Sequence, residues 1–190
     1  INGNRWQVIV GRGHSPEHAC LYCSALNILI SGDQVIPRIT SNISVTGAEP
    51  EGNPLREWLM SHERFLDLLP ADTLVLPAHN TPFYGLHERL RYLIGHHEDH
   101  VLALEEACVA APLSAMELLP VLFKRPLEGH NLSLALGECI AHLNYLHQRG
   151  QVERSVDAQD CYRYQSADAT LPMRLRKQRH AAEDLPPMQV

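Results

Sequence analysis

A chain of 190 residues with 45% apolar and 20% charged side chains can bury one core, or one core plus a small appended module, and is no disordered or low-complexity polymer. Sixteen basic against 22 acidic residues give a net charge of −6, which argues against a broad nucleic-acid surface. Cysteines at 20, 23, 108, 139 and 161 are odd in number and lack framework spacing, so reduced thiols and a cytoplasmic setting are expected, and no run approaches the ~18 apolar residues of a membrane span.

The chain opens at Ile1 with a turn that runs straight into a strand, so a fragment of a longer protein is expected. Trp6 to Val10 reads as a strand ended by Gly11, and Ala19–Tyr22 and Leu26–Ile30 read as two more with a short connection between them. Gly32 to Pro50 has no period and reads as a long loop, a length often put to functional use. Leu55, Trp58, Leu59, His62, Phe65, Leu66 and Leu69 recur at helical spacing from Pro54 until Pro70. Thr73 to Leu76 reads as a short buried strand, and a second helical stripe runs from Leu86 to about Ala110.

After Pro112, Ser114 and Glu117 form an S-x-x-E capping box for a short helix. Asn131 is expected to cap a longer helix that ends at Gly150. Gln151–Arg154 and Cys161–Tyr164 flank a turn and read as a hairpin. Helix, helix, hairpin is the order of a winged-helix module. The tail from about Ala167 is first basic, with Arg174 to Arg179, then acidic and Pro-rich.

His14, Asp33 and His79 each follow a strand candidate and lie beside Gly or Pro. Strand ends present side chains into one shared crevice, and imidazole with carboxylate suits zinc, iron or manganese. The alternative is three ordinary capping or turn residues. Arg38, Ser41 and Asn42, in the loop after Asp33, are candidates to bind an anionic or polar substrate group, against a plain solvated loop. His18 is a candidate outer partner of His14 or a turn residue, and Tyr84 and His87 are candidates for the pocket wall.

The wording GHSPEHACLY, then LISGD, then VLPAH closely resembles the second half of the metallo-β-lactamase superfamily, on its glyoxalase II-like branch. The resemblance covers roughly residues 5 to 100, and the region beyond is similar to the winged-helix extension of some of these hydrolases. It implies an α+β fold: residues 1–110 as the second half of an αββα sandwich, 111–166 as a mostly helical winged-helix-like module, and 167–190 as a tail. It implies that His14, Asp33 and His79 are metal ligands for two divalent ions, zinc above iron or manganese, with Asp33 bridging them.

It further implies a metal-bridging hydroxide that attacks a small ester or thioester, so that Asp33 is also catalytic. The superfamily's H-x-H-x-D-H signature does not occur ahead of His14, so the chain by itself is expected to be inactive. In GHHEDH, residues 95–100, His97, Asp99 and His100 mimic that spacing, but on a predicted helix and after His79. His97 there reads as a core or interface histidine, and His96 and His100 as an i, i+4 pair able to chelate only adventitiously.

Cys20 and Cys23, three apart in a strand, face opposite ways and read as small buried hydrophobes. Two other functions stay open: a superfamily nuclease acting on RNA or DNA, and a non-catalytic winged-helix binding protein. The helix from Asn131 carries Arg149 as its only lysine or arginine, so it is unsuited to reading a groove. A wall or lid over the cleft for a small acyl substrate, with a possible homodimer contact, fits it better.

Overall fold

The structure is a computed structural model that describes residues 1–171; the basic run Arg174 to Arg179 lies outside the described residues. Four strands, β1 (Gln7–Gly11), β2 (His18–Cys23), β3 (Ile28–Gly32) and β4 (Leu74–Pro77), form one sheet in the order β1-β2-β3-β4. β1 and β2 pair antiparallel, as do β2 and β3, while β3 and β4 are parallel. β1, β3 and β4 therefore point the same way. Their C-terminal ends, and the start of β2, share one edge. Parallel neighbours need a long crossover, and here residues 33–53 and helix α1 (Pro54–Leu68) supply it.

Local chemistry explains the ends of α1. Asn53 caps it, its side chain accepting from the Arg56 N–H at 3.1 Å, and Pro54 supplies a pre-set φ in the first turn. Leu55, Trp58, Leu59, His62 and Phe65 line its buried face, as the periodicity predicts. Truncation of Trp58 or Phe65, both fully buried, would cost about 3–5 kcal/mol.

Helices α2 (Leu86–Ala107), α3 (Ala115–Leu122) and α4 (Gly129–Gln148) follow, then a hairpin of β5 (Val152–Val156) and β6 (Tyr162–Ser166). The Ser114–Glu117 capping box forms in both directions. The cap expected of Asn131 does not: α4 starts at Gly129 after an extended Glu128, which leaves Asn131 exposed in the first turn. The chain direction is set just upstream, where Pro126 and the extended backbone of Glu128 stop any earlier helix.

One hydrophobic cluster runs through all these elements, from Ile9 and Leu29 in the sheet, through Leu93 and Leu104, to Leu118, Leu143 and Tyr164. The helical region after Pro112 thus shares its core with the sheet region. Cys20 and Cys23 are both fully buried, free thiols, as small hydrophobes in that setting should be.

The long loop of residues 33–53 is held from two sides. Val35 and Ile43 are fully buried. On one side, the Trp58 indole N–H donates to the Ser41 hydroxyl at 3.1 Å. On the other, one face of α4 grips the loop: Val45 N–H donates to Gly137 O at 3.1 Å, and the Asn144 amide donates to Pro50 O and Gly52 O at 2.9 Å. Gly137 is required by this approach, since a Cβ there would meet the Ser44 hydroxyl oxygen at 2.8 Å.

His62 is fully buried, its Nδ1 facing Trp58 O at 2.9 Å and its ring stacked on Trp58 with centroids 3.5 Å apart. Burial pushes its pKa down to about 4. Its folded pKa therefore lies below the unfolded value of about 6.5. The stability it contributes is complete above pH 6.5 and is lost as pH falls toward 4, on the order of 3 kcal/mol across that window. In chelator-treated protein, denaturant unfolding between pH 7 and 4 should show this loss, and His62→Gln should flatten the slope by about one proton.

Candidate metal centre at the sheet edge

The three residues singled out by their turns meet at the shared edge of the sheet. His14 leaves β1, Asp33 leaves β3 and His79 leaves β4. Asp33 Oδ1 lies 3.2 Å from His79 Nε2, and Asp33 Oδ2 lies 3.8 Å from His14 Nε2. One carboxylate thus offers a different oxygen to each of two imidazoles. His14 and Asp33 side chains are about one-third exposed, and His79 is 61% exposed, so the group opens to solvent.

Each ligand candidate is positioned by backbone. His14 Nδ1 lies 2.8 Å from Asn42 O, so that nitrogen carries the proton and Nε2 keeps a free lone pair toward Asp33. Ala78 N–H donates to Gly32 O at 3.0 Å and ties the exit of β4 to that of β3. Gly13, with φ of +99°, makes the turn before His14, where a Cβ would meet Trp58 Cβ at 2.3 Å.

His18 has a role that the sequence left undecided. Its Nε2 accepts the Asp33 backbone N–H at 3.1 Å, which fixes the turn that carries the carboxylate. The ring centroid is 6.0 Å from that of His14. Burial, then the neighbouring His14, lowers its pKa, which keeps the accepting nitrogen unprotonated. Gly32 is the reason the ring fits: its φ is +55°, and a Cβ would lie 2.3 Å from His18 Cε1.

The other expected contacts divide. Arg38 is exposed and lines a cleft of about 580 Å³ with Arg89, Arg125 and Asn42. Ser41 does not reach that cleft as expected, and Asn42, which lines it, has its side chain engaged within the fold. Ser41 is buried and spends its hydroxyl on Trp58. The Asn42 amide donates to Leu134 O at 3.4 Å and Glu138 Oε2 at 3.3 Å, and its oxygen accepts from Ser44. Asn42 serves the site through its backbone carbonyl, which residue type cannot reveal. His87 Nε2 faces Leu69 O at 2.7 Å, so it holds the end of α1, while Tyr84 is exposed.

A second cluster lies in the core. His97, His100, Glu138 and His142 offer ligand atoms within 4.8 Å of one another. His97 is fully buried, as a core histidine should be. Burial holds His97 at a pKa of about 2, and His100 and His142 at about 4, while it raises Glu138 to about 7. Only the α2 half of this group is legible in the sequence, because nothing in the α4 pattern pairs Glu138 and His142 with a helix some 40 residues away.

Replacement of Gly32 by Ala tests the corner. Left-handed backbone at a non-Gly residue costs about 1–2 kcal/mol, and the clash must also displace His18. Gly32→Ala should lower the melting midpoint, whereas Gly47→Ala, where a Cβ meets nothing within 4 Å, should not. Calorimetric melting measures the effect.

Two family models match the chain, the metallo-beta-lactamase superfamily model over residues 1–79 and the metallo-beta-lactamase-like C-terminal domain model over residues 101–167. A search of curated proteins gave no match. Among solved structures, a β-lactamase domain protein from Burkholderia ambifaria is 41% identical, over 87% of this chain and 49% of that one, with a TM-score of 0.81. A metallo-β-lactamase family protein from Thermus thermophilus is 30% identical, over 87% of this chain and 50% of that one, with a TM-score of 0.75. The chain thus spans about half the length of these two structures. Two family matches and two similar folds, over a sheet edge that gathers His14, Asp33 and His79, make this chain a member of the metallo-β-lactamase superfamily.

Proposed function

We propose that the chain is part of a metal-dependent hydrolase acting on a small ester or thioester, with His14, Asp33 and His79 as its share of a two-metal site. The observation that carries this reading is the split carboxylate: Asp33 directs Oδ1 at one imidazole and Oδ2 at another, an arrangement suited to bridging two ions. The donor set, two imidazoles and one carboxylate, fits zinc, with iron or manganese as alternatives.

Divalent ions held there would supply Lewis acidity and lower the pKa of water toward neutrality. The chain's own residues do the positioning. Asn42 O fixes the His14 tautomer, His18 fixes the Asp33 turn, and the β3–β4 pairing sets the distance from Asp33 to His79. Such fixed donors need little reorganisation on binding. Arg38 stands in the cleft that Asn42 shares, where it would bind a carboxylate or phosphate on the substrate. A cavity of about 430 Å³ lined by His14, Arg12, Ser44 and Glu49 gives room for a small molecule.

We place α3, α4 and the β5–β6 hairpin in the winged-helix-like role of a wall, since α4 holds the loop that carries Arg38 and Asn42. Nucleic-acid readout draws no support from α4: Leu143 and Leu146 are fully buried, and Arg149 spends its guanidinium on Gln151 and Tyr145.

Three protein ligands cannot saturate two ions, so we expect this chain by itself to bind metal weakly at the corner and to hydrolyse nothing. In a longer protein that supplies the remaining ligands, Asp33→Ala should abolish thioester hydrolysis and lower metal content, as read by elemental analysis of the purified variant. Retention of full metal content and activity in that variant would refute the assignment. Arg38→Ala should raise KM for an anionic thioester with little change in kcat, as the loss of a ground-state contact does.

A further inference from the structure

We infer that His97, His100, Glu138 and His142 form a second, structural metal site that rivets α2 to α4 in the core. It shares no ligand with the corner formed by His14, Asp33 and His79. The candidate ion is a divalent first-row cation of zinc type.

Spacing along each helix is the first support. His97 and His100 are i, i+3 on α2, and Glu138 and His142 are i, i+4 on α4, so each pair lies on one helix face. Facing helices that contribute such pairs are a recurrent way to build a metal site inside a bundle. The four ligand atoms already lie within 4.8 Å of one another, and His97 Nδ1 is 3.0 Å from His142 Nε2. Donors around a tetrahedral zinc with bonds of about 2.0–2.1 Å sit roughly 3.3 Å apart. Small side-chain rotations close the difference.

Unspent hydrogen-bonding capacity is the second support. Among the described residues, His100 Nδ1 is buried without a partner, and such a group is costly to leave unpaired. His142 Nδ1 faces Glu138 O at 2.8 Å, so the proton sits there, and its Nε2 accepts from His97 Nδ1–H at 3.0 Å, a contact that an ion would replace. The contact with Glu138 O fixes the ring as outer partners of metal-bound histidines do. Glu138 Oε2 takes one hydrogen bond from Asn42, at 3.3 Å, and no cationic side chain among the described residues pairs with this nearly buried carboxylate. Three neutral imidazoles and one carboxylate leave a bound dication with a single net charge, far cheaper to bury than two. An ion has a route in, because His100 and Glu138 also line the 580 Å³ cleft that holds Arg38.

The test uses this chain with Asp33→Ala and His79→Ala, which dismantle the corner. After chelator treatment it is titrated with Co²⁺ and then Zn²⁺. One equivalent of Co²⁺ should bind with the visible ligand-field bands of a tetrahedral nitrogen–oxygen site, and Zn²⁺ should displace it. Zinc at about 100 times its Kd should raise Tm by roughly 5–10 °C. Adding Glu138→Gln or His100→Asn should weaken binding by more than the ~10–100-fold lost with an outer partner. Absence of a stoichiometric cobalt spectrum, or equal affinity in Glu138→Gln, would overturn the site.

Should these variants fail to fold, the unmodified chain decides by histidine ¹⁵N NMR. Joint shifts of the His97, His100 and His142 ring nitrogens with added zinc support the site. Shifts confined to His14 and His79 overturn it.

Discussion

Asn42 is the residue on which both ends of the molecule depend. Its carbonyl takes the Nδ1 proton of His14, and its side chain donates to Leu134 O and Glu138 on α4. A single residue in an irregular loop therefore couples the sheet edge to the helical core. If α4 moved, Asn42 would move with it, and His14 would lose the contact that sets its tautomer and direction. The loop is not free to adapt, because Trp58 holds Ser41 and Gly137 admits Ser44 at close range.

This coupling explains why the helical region shares a core with the sheet. A module joined only by a linker would bring its own core and leave loop 33–53 mobile. Here α4 helps to fill the common core and also binds the loop, through the backbone of residues 45–52 and the side chains of Asn42 and Ser44. The wall of the cleft and the packing of the site are then one structure, so a change in α4 would be felt at His14 without touching it.

The two histidine clusters differ in their surroundings. The corner is partly open, and its two histidines stand beside one carboxylate. The inner group is mostly buried, with His100 half-buried at the cleft, and burial drives its imidazoles toward the neutral state and Glu138 toward the protonated one. Glu138 touches both through Asn42, so an ion at the inner site would stiffen the contact that aims His14.

The sequence by itself determined most of the elements, because they rest on local rules: helical periodicity, prolines and the Ser114 capping box set the helices. It placed His14, Asp33 and His79 after strands, where a sheet aligns its strand ends, but spacing left them open between ligands and turn residues, and the wording of their turns, through its family resemblance, singled them out. Tertiary structure alone decided the roles of Asn42, His18 and Ser41, since a backbone carbonyl looks the same in every residue and a hydroxyl can serve substrate or Trp58 equally well. It also decided the pairing of His97 and His100 with Glu138 and His142. Helix spacing fixes which residues share a face, but which two faces meet depends on packing between segments far apart in the chain.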